Sequence, residues 1–116
     1  MNKGGYENLI VWQKAMDLVV EIYALTEKFP KPELYGLVSQ MRRAVISIPS
    51  NIAEGTRRKG EKETRQFFLV AFGSGSELET QIKIAKRLQF ISDEQSKKSD
   101  ALLEEVMKML NKMSYY

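Results

Sequence analysis

A proline stands inside an otherwise unbroken helical repeat. Leu34, Leu37, Val38, Met41, Val45, Ile48 and Ile52 recur at three- and four-residue steps, the spacing of one helix face, and the phase passes through Pro49 without a shift. A proline in a helix interior removes one backbone hydrogen bond and clashes with the preceding turn, at a cost of about 3 kcal/mol. One helix kinked at Pro49 accounts for Ile52 continuing the stripe begun by Leu37. A break, with Ser47 or Ile48 as the cap and Pro49 at the first helical position, is the alternative. Either way the segment is helical.

Three further segments carry the same period. From about residue 9 to 29, Val11, Ala15, Leu18, Ile22, Leu25 and Phe29 form one face, with Trp12, Met16, Val19 and Tyr23 as an adjoining stripe. An apolar face this wide predicts contact with more than one neighbour. Pro30 and Pro32 close that helix and lead into the second, expected over 33–58. From 61 to 90 the face is Phe67, Ala71, Ser74, Leu78, Ile82, Ala85 and Leu88, flanked by Phe68, Phe72 and Gly75. Gly73 and Gly75 each cost up to ~1 kcal/mol in a helix interior, so close approach of another helix is the expected compensation. A loop over 73–76 is disfavoured because the apolar phase survives it. The last helix, expected over 93–113, starts at a capping box, Ser92-Asp93-Glu94-Gln95, and presents Ser99, Leu102, Val106, Met109 and Met113, with Leu103 and Leu110 beside them. Glu61 and Arg65, Glu79 and Lys83, Glu94 and Lys98, and Glu104 and Lys108 are spaced for surface ion pairs worth only ~0.2–0.5 kcal/mol each.

Four helical segments, short connections and no strand signal predict an all-α, antiparallel up-and-down four-helix bundle, kinked at Pro49 in its second helix. At 116 residues, with 43% hydrophobic and 28% charged residues, the chain fits a single domain over 1–116. The N-terminus, Met1-Asn2-Lys3-Gly4-Gly5-Tyr6, lacks the apolar run of a signal peptide, and no segment reaches the ~18 apolar residues of a membrane span. A soluble, cytoplasmic protein with no membrane partner is expected.

The composition excludes much chemistry. With no histidine and no cysteine, disulfides, thiol catalysis, histidine-dependent triads, common zinc sites and the Glu-x-x-His pairs of di-iron bundles all fall away. A carboxylate-only magnesium site needs acids converging on one face. Glu77 and Glu79, or Glu104 and Glu105, do not share one, and Asp100 and Glu104 sit among Lys97 and Lys108 on what reads as a solvated surface. No catalytic residue, cofactor or metal is expected, and no enzymatic activity.

The formal charge is +3 and the pI about 9.1, a weak argument for an anionic partner that its distribution strengthens. Arg57, Arg58, Lys59, Lys62 and Arg65 fall within nine residues, opposed by Glu61 and Glu63, and Lys83, Lys86 and Arg87 form a second group. A solvated helix face is the plain reading of each. The sharper one is a backbone-electrostatic site for RNA or DNA, with Arg57, Arg58, Lys59, Lys62 and Arg65 as main contacts and Arg42, Arg43, Lys86 and Arg87 as secondary ones. No aromatic platform stands out among these cations, so sequence-specific stacking is not predicted, and affinity should fall steeply with salt.

Beside the apolar stripe of the second helix runs a polar one: Gln40, Arg43, Ser47, Asn51, Glu54 and Arg58. It reads equally as an exposed face, with Ser47 and Asn51 repairing backbone groups freed by Pro49, or as a subunit contact in which Arg43 and Glu54 pair.

Tyr35-Gly36-Leu37, Gln40-Met41-Arg42-Arg43-Ala44, Ser47-Ile48-Pro49-Ser50-Asn51-Ile52-Ala53-Glu54-Gly55 and Gly73-Ser74-Gly75-Ser76-Glu77-Leu78 together resemble the family of 23S rRNA intervening-sequence proteins, over nearly the whole chain. The resemblance implies a four-helix bundle assembled as a ring, a homopentamer, and gives the polar stripe an interface role. Accessory variability determinant proteins of diversity-generating retroelements are similar in fold, and there a basic ring surface binds nucleic acid and a reverse transcriptase. Five copies would multiply the modest +3 into a substantial field. The leading expectation is a homo-oligomeric, nucleic-acid-binding bundle. The competing one is a protein-interaction or scaffolding module that docks a partner protein and never touches nucleic acid.

Overall fold

The apolar stripe of the first segment is buried along its whole length, with Val11, Ala15, Leu18, Ile22, Leu25 and Phe29 all at 7% exposure or less. The computed structural model describes residues 5–114, so Met1–Gly4, used above in reading the N-terminus, lie outside the described residues. Four α-helices follow one another: α1 (Ile10–Thr26), α2 (Ser39–Thr56), α3 (Glu61–Arg87) and α4 (Asp93–Ser114), with no strand among the described residues. α1 packs on α2 and α4, and α3 packs on the same two helices. Each helix therefore has two neighbours, as the width of the α1 stripe requires, and one core, with 21 buried apolar side chains among the described residues, lies between them.

α2 runs through Pro49 without interruption, and Pro49 is itself buried, as are Val45, Ile48 and Ile52. The break at Ser47 or Ile48 is not taken. Asn51 Nδ2 donates to the Ser47 carbonyl (2.8 Å) and to the Ser47 hydroxyl (2.9 Å), and that hydroxyl lies 2.7 Å from Ser74 Oγ on α3. The side chains next to the proline thus bind the backbone and tie α2 to α3. The carbonyl that loses its donor to Pro49, four residues back, is that of Val45, so the repair falls on the turn beside it. Ahead of α2 the chain is less regular than expected: a 3₁₀ turn at Lys31–Glu33 and a wide helical turn at Leu34–Val38 precede the α-helix. This leaves Leu34 nearly half exposed while Val38 is buried.

α3 is helical across Gly73–Ser76, as the apolar phase predicts. The two glycines differ. At Gly75 a Cβ would run into Met107 Sδ of α4, so glycine lets the helices approach, whereas a Cβ at Gly73 would meet nothing within 4 Å. α4 starts on the expected capping box, with Gln95 N–H donating to Ser92 Oγ (3.1 Å) and Ser92 N–H to Gln95 Oε1 (2.9 Å). Its buried side is turned slightly from the one read above: Ser96, Ser99, Leu103, Val106 and Leu110 are buried, and Leu102, Met109 and Met113 are half-buried. Apolar residues occupy both faces, and the contacts with α1 and α3 together select the centre.

Candidate nucleic-acid interface

α2 ends because its last turn tightens. The Arg57 and Arg58 amides donate back to the Glu54 and Gly55 carbonyls (both 3.2 Å), and the Thr56 hydroxyl donates to the Ala53 carbonyl (2.8 Å). The chain crosses residues 57–60 and enters α3 at Gly60, in extended conformation, with Glu61 and Glu63 in the first turn where the helix dipole favours acids. Gly55 brings the two helices together at this end. A Cβ there would lie 3.0–3.2 Å from Phe67 and Phe68. Phe68 is buried, while Phe67, next to it and about 100° around the helix, is left half-buried beside the connection.

The result is an open groove of about 1020 Å³ lined by Arg57, Arg58, Lys59, Lys62, Glu63, Gln66, Phe67 and Val70 around Gly60. Four of the five cations of the first basic group meet in it. Arg65, half-buried on α3, is not part of its lining. The cations are not equivalent. Arg57, Lys59 and Lys62 are exposed and form no ion pair with any carboxylate among the described residues. Arg58 is held by Glu54, one helical turn back, and by Glu63 at 3.8 Å. Both arginines lie over rings: Arg58 is 4.7 Å from the Phe67 centroid, and Arg57 is 5.4 Å from that of Tyr6, which stands 5.1 Å from Trp12.

The secondary cations have other surroundings. Arg42 joins α2 to α1, its Nε donating to Thr26 Oγ1 (3.0 Å), its Nη2 reaching Glu27 (3.3 Å), and its guanidinium lying 4.4 Å from the Tyr23 ring centroid. Lys86 is tied to Asp100 (2.9 Å) and Asp93 (3.2 Å). The hydrogen bond to Asp100 raises its pKa above the ordinary 10.5, outweighing burial, which acts the other way, and Asp93 adds to the rise. Lys83 and Lys86 line a groove with Glu79, Asp100, Glu104 and Lys108, where the signs are mixed. Arg87 and Arg43 are exposed, and Arg43 Nη2 lies 3.5 Å from Ser39 Oγ.

In the polar stripe of α2, Gln40, Arg43, Glu54 and Arg58 are exposed while Ser47 and Asn51 are half-buried by their bonds. Glu54 pairs with Arg58 within the chain. Arg43, Gln40 and Ser47 instead share a shallow groove with Glu77 and Tyr35, the latter 92% exposed, and Leu34 and Ile46 stand exposed alongside. Tyr6, Gln66 and Phe67 were not singled out as site residues from the sequence. The usable signal was the pair Phe67-Phe68, since adjacent helical positions cannot both centre on one core face. Among the described residues there is no group of three or more His, Cys, Asp or Glu placed to hold a metal, and no helix is long and apolar enough to cross a membrane.

These features define an all-helical bundle with a basic groove at the α2–α3 connection. The chain belongs to the 23S rRNA-intervening sequence protein family, whose model matches residues 7–112. No match was found among the curated proteins.

Proposed function

We propose that this chain is a non-enzymatic, cytoplasmic homo-oligomer that binds RNA or DNA through the basic groove at the α2–α3 connection. The observation that carries the reading is the convergence of Arg57, Arg58, Lys59 and Lys62 on one open surface, three of them without a carboxylate partner among the described residues. Surface cations without internal partners keep their full attraction for phosphate, and each phosphate neutralised releases condensed counterions. The family's association with an rRNA intervening sequence points the same way.

The short connections at 57–60 and 88–92 suit helices that alternate in direction, an antiparallel up-and-down order, with α2 bent at Pro49. The exposed Leu34, Tyr35 and Ile46 around Arg43, Gln40 and Glu77 are the surface on which copies would assemble, a pentamer in this reading, multiplying the basic groove around a ring.

A gel-shift titration tests the site. Changing Arg57, Arg58 and Lys59 together to glutamate should weaken binding at low salt by at least about tenfold, and the log affinity of the native protein should fall linearly with log salt concentration. Changing Lys83 and Arg87 to glutamate should have the smaller effect. Unchanged affinity in the triple variant would overturn the site. Light scattering should give a multiple of 13.4 kDa, and a monomer at micromolar concentration would overturn the assembly. A protein partner that survives nuclease, with no polyanion affinity in the purified chain, would replace this reading with the protein-interaction module.

A further inference from the structure

We propose that the groove takes a single-stranded segment of nucleic acid, whose bases stack on the Arg57 and Arg58 guanidinium planes while Lys59 and Lys62 hold its phosphates. The inference rests on the nucleic-acid reading above and narrows it to the strand state of the ligand.

The first reason is how the two arginines are mounted. A phosphate contact needs only a point charge, which a lysine on a flexible stem supplies. Here consecutive arginines each lie over a ring within cation–π range, Arg58 at 4.7 Å from the Phe67 centroid and Arg57 at 5.4 Å from that of Tyr6. A guanidinium held beside a ring by cation–π attraction is restrained there, and a face turned away from that ring can take a second flat partner. Guanidinium planes in this state are stacking surfaces for unpaired bases.

The second reason is the fate of Arg58's charge. Glu54 and Glu63 both pair with it, which weakens it as a phosphate hook but fixes the orientation of its plane. Were phosphate its only target, two carboxylates beside it would be a defect; for stacking they are a mount. Lys59 and Lys62, without such partners among the described residues, keep the electrostatic task.

The rest of the lining agrees. Gln66 brings an amide that can donate to and accept from a base edge, and Phe67 and Val70 give the groove an apolar side. A duplex keeps its bases stacked on one another and would offer this surface its backbone alone. A single strand can turn its bases in, and every base has a face to stack regardless of sequence.

Fluorescence anisotropy with short labelled oligonucleotides, as single-stranded RNA, single-stranded DNA and duplex at one salt concentration, tests this. Both single strands should bind roughly tenfold more tightly than the duplex. Arg58→Lys keeps the charge and removes the plane, and should cost about five- to tenfold on single strands with duplex affinity and salt slope unchanged. Phe67→Leu should do the same, while Phe67→Trp, which restores a ring, should retain single-strand affinity. Lys59→Gln should weaken all three ligands alike and reduce the salt slope by about 1. Equal affinity for duplex and single strand, or single-strand affinity untouched by both Arg58→Lys and Phe67→Leu, overturns the stacking assignment and leaves the nucleic-acid reading standing. Loss of affinity in these variants for all three ligands, without rescue by Phe67→Trp, also overturns it. No binding to any of the three by the native protein at low salt overturns both.

Discussion

The two ends of α3 are built from similar residues and do opposite things. At its C-terminal end, the connection over 88–92 is closed by bonds and packing. Gln89 N–H donates to the Lys86 carbonyl (3.0 Å) and Phe90 N–H to the Ala85 carbonyl (2.9 Å), the paired bonds of a Schellman turn, with Gln89 at φ 64°. Phe90 then packs on Phe29, Ile91 is buried, the Ser92–Gln95 box starts α4, and Lys86 is neutralised across the gap by Asp93 and Asp100. At its N-terminal end, Gly60 caps α3 without a side-chain bond, and Arg57, Lys59 and Lys62 face outward with no acid to meet them among the described residues. One end spends its polar groups on the fold. The other leaves them for a partner. Basic clusters of similar density are therefore not equivalent, and what separates them is the placement of acids on neighbouring helices.

The contrast can be broken most severely at the packed end. Ile91→Ala should destabilise the protein by about 2–5 kcal/mol, since it removes a buried side chain at the point where the chain turns. Gly60→Ala, at a site with nothing within 4 Å of a new Cβ but at the N-cap of α3, should cost no more than about 1 kcal/mol. Urea denaturation of both variants measures the difference, and comparable losses would remove the distinction between a structural end and an open one.

Gln89→Gly sharpens the same comparison with a smaller effect. A non-glycine residue in the left-handed region is held there at a cost, so glycine should stabilise by about 1 kcal/mol. A rise in melting temperature with unchanged nucleic-acid affinity is the expected result.

The smallest effect is that of pH on Lys86. Its raised pKa means that the stabilisation it contributes is fully present below 10.5 and is lost as pH rises through the higher folded-state value. Unfolding free energies at about pH 9 and about pH 12 should differ less in Lys86→Met than in the native protein. An identical pH dependence in both would show that the Asp100 and Asp93 contacts do not stabilise the fold.

Much of the bundle was legible in the sequence because helical periodicity is a local property. The α1 stripe from Val11 to Phe29 is buried as read, the second stripe is buried from Val38 to Ile52 but not at its start, where Leu34 is exposed and Leu37 half-buried, and the Ser92–Gln95 cap forms both of its bonds. Where apolar residues crowd adjacent positions the reading loses its angle. Leu102 and Leu103, Met109 and Leu110, and Phe67 and Phe68 each offer two stripes, and the burial of Leu103, Leu110 and Phe68 follows from which helices flank them. Leu88, read as core, is 54% exposed because α3 ends there. The surface pairs read at four-residue spacing fared unevenly. Glu104 and Lys108 meet at 3.5 Å, whereas Lys98 reaches across to Glu21 of α1 at 3.1 Å.

The candidate site divides along the same line. Arg57, Arg58, Lys59 and Lys62 are neighbours in sequence, and a tight turn between two helices was enough to bring them together. Arg42, by contrast, is occupied by Thr26 and Glu27, sixteen and fifteen residues away, and Lys86 by Asp100, fourteen away. The chain alone determined four amphipathic helices, a basic α2–α3 connection, and the absence of histidine and cysteine chemistry, because these depend on spacing and composition. Which cations are neutralised, which phenylalanine lies beneath Arg58, and which glycine admits a neighbouring helix were decided by the tertiary structure. Charge pairing and ring contacts act over a few ångströms in space, and only the packed bundle sets those distances.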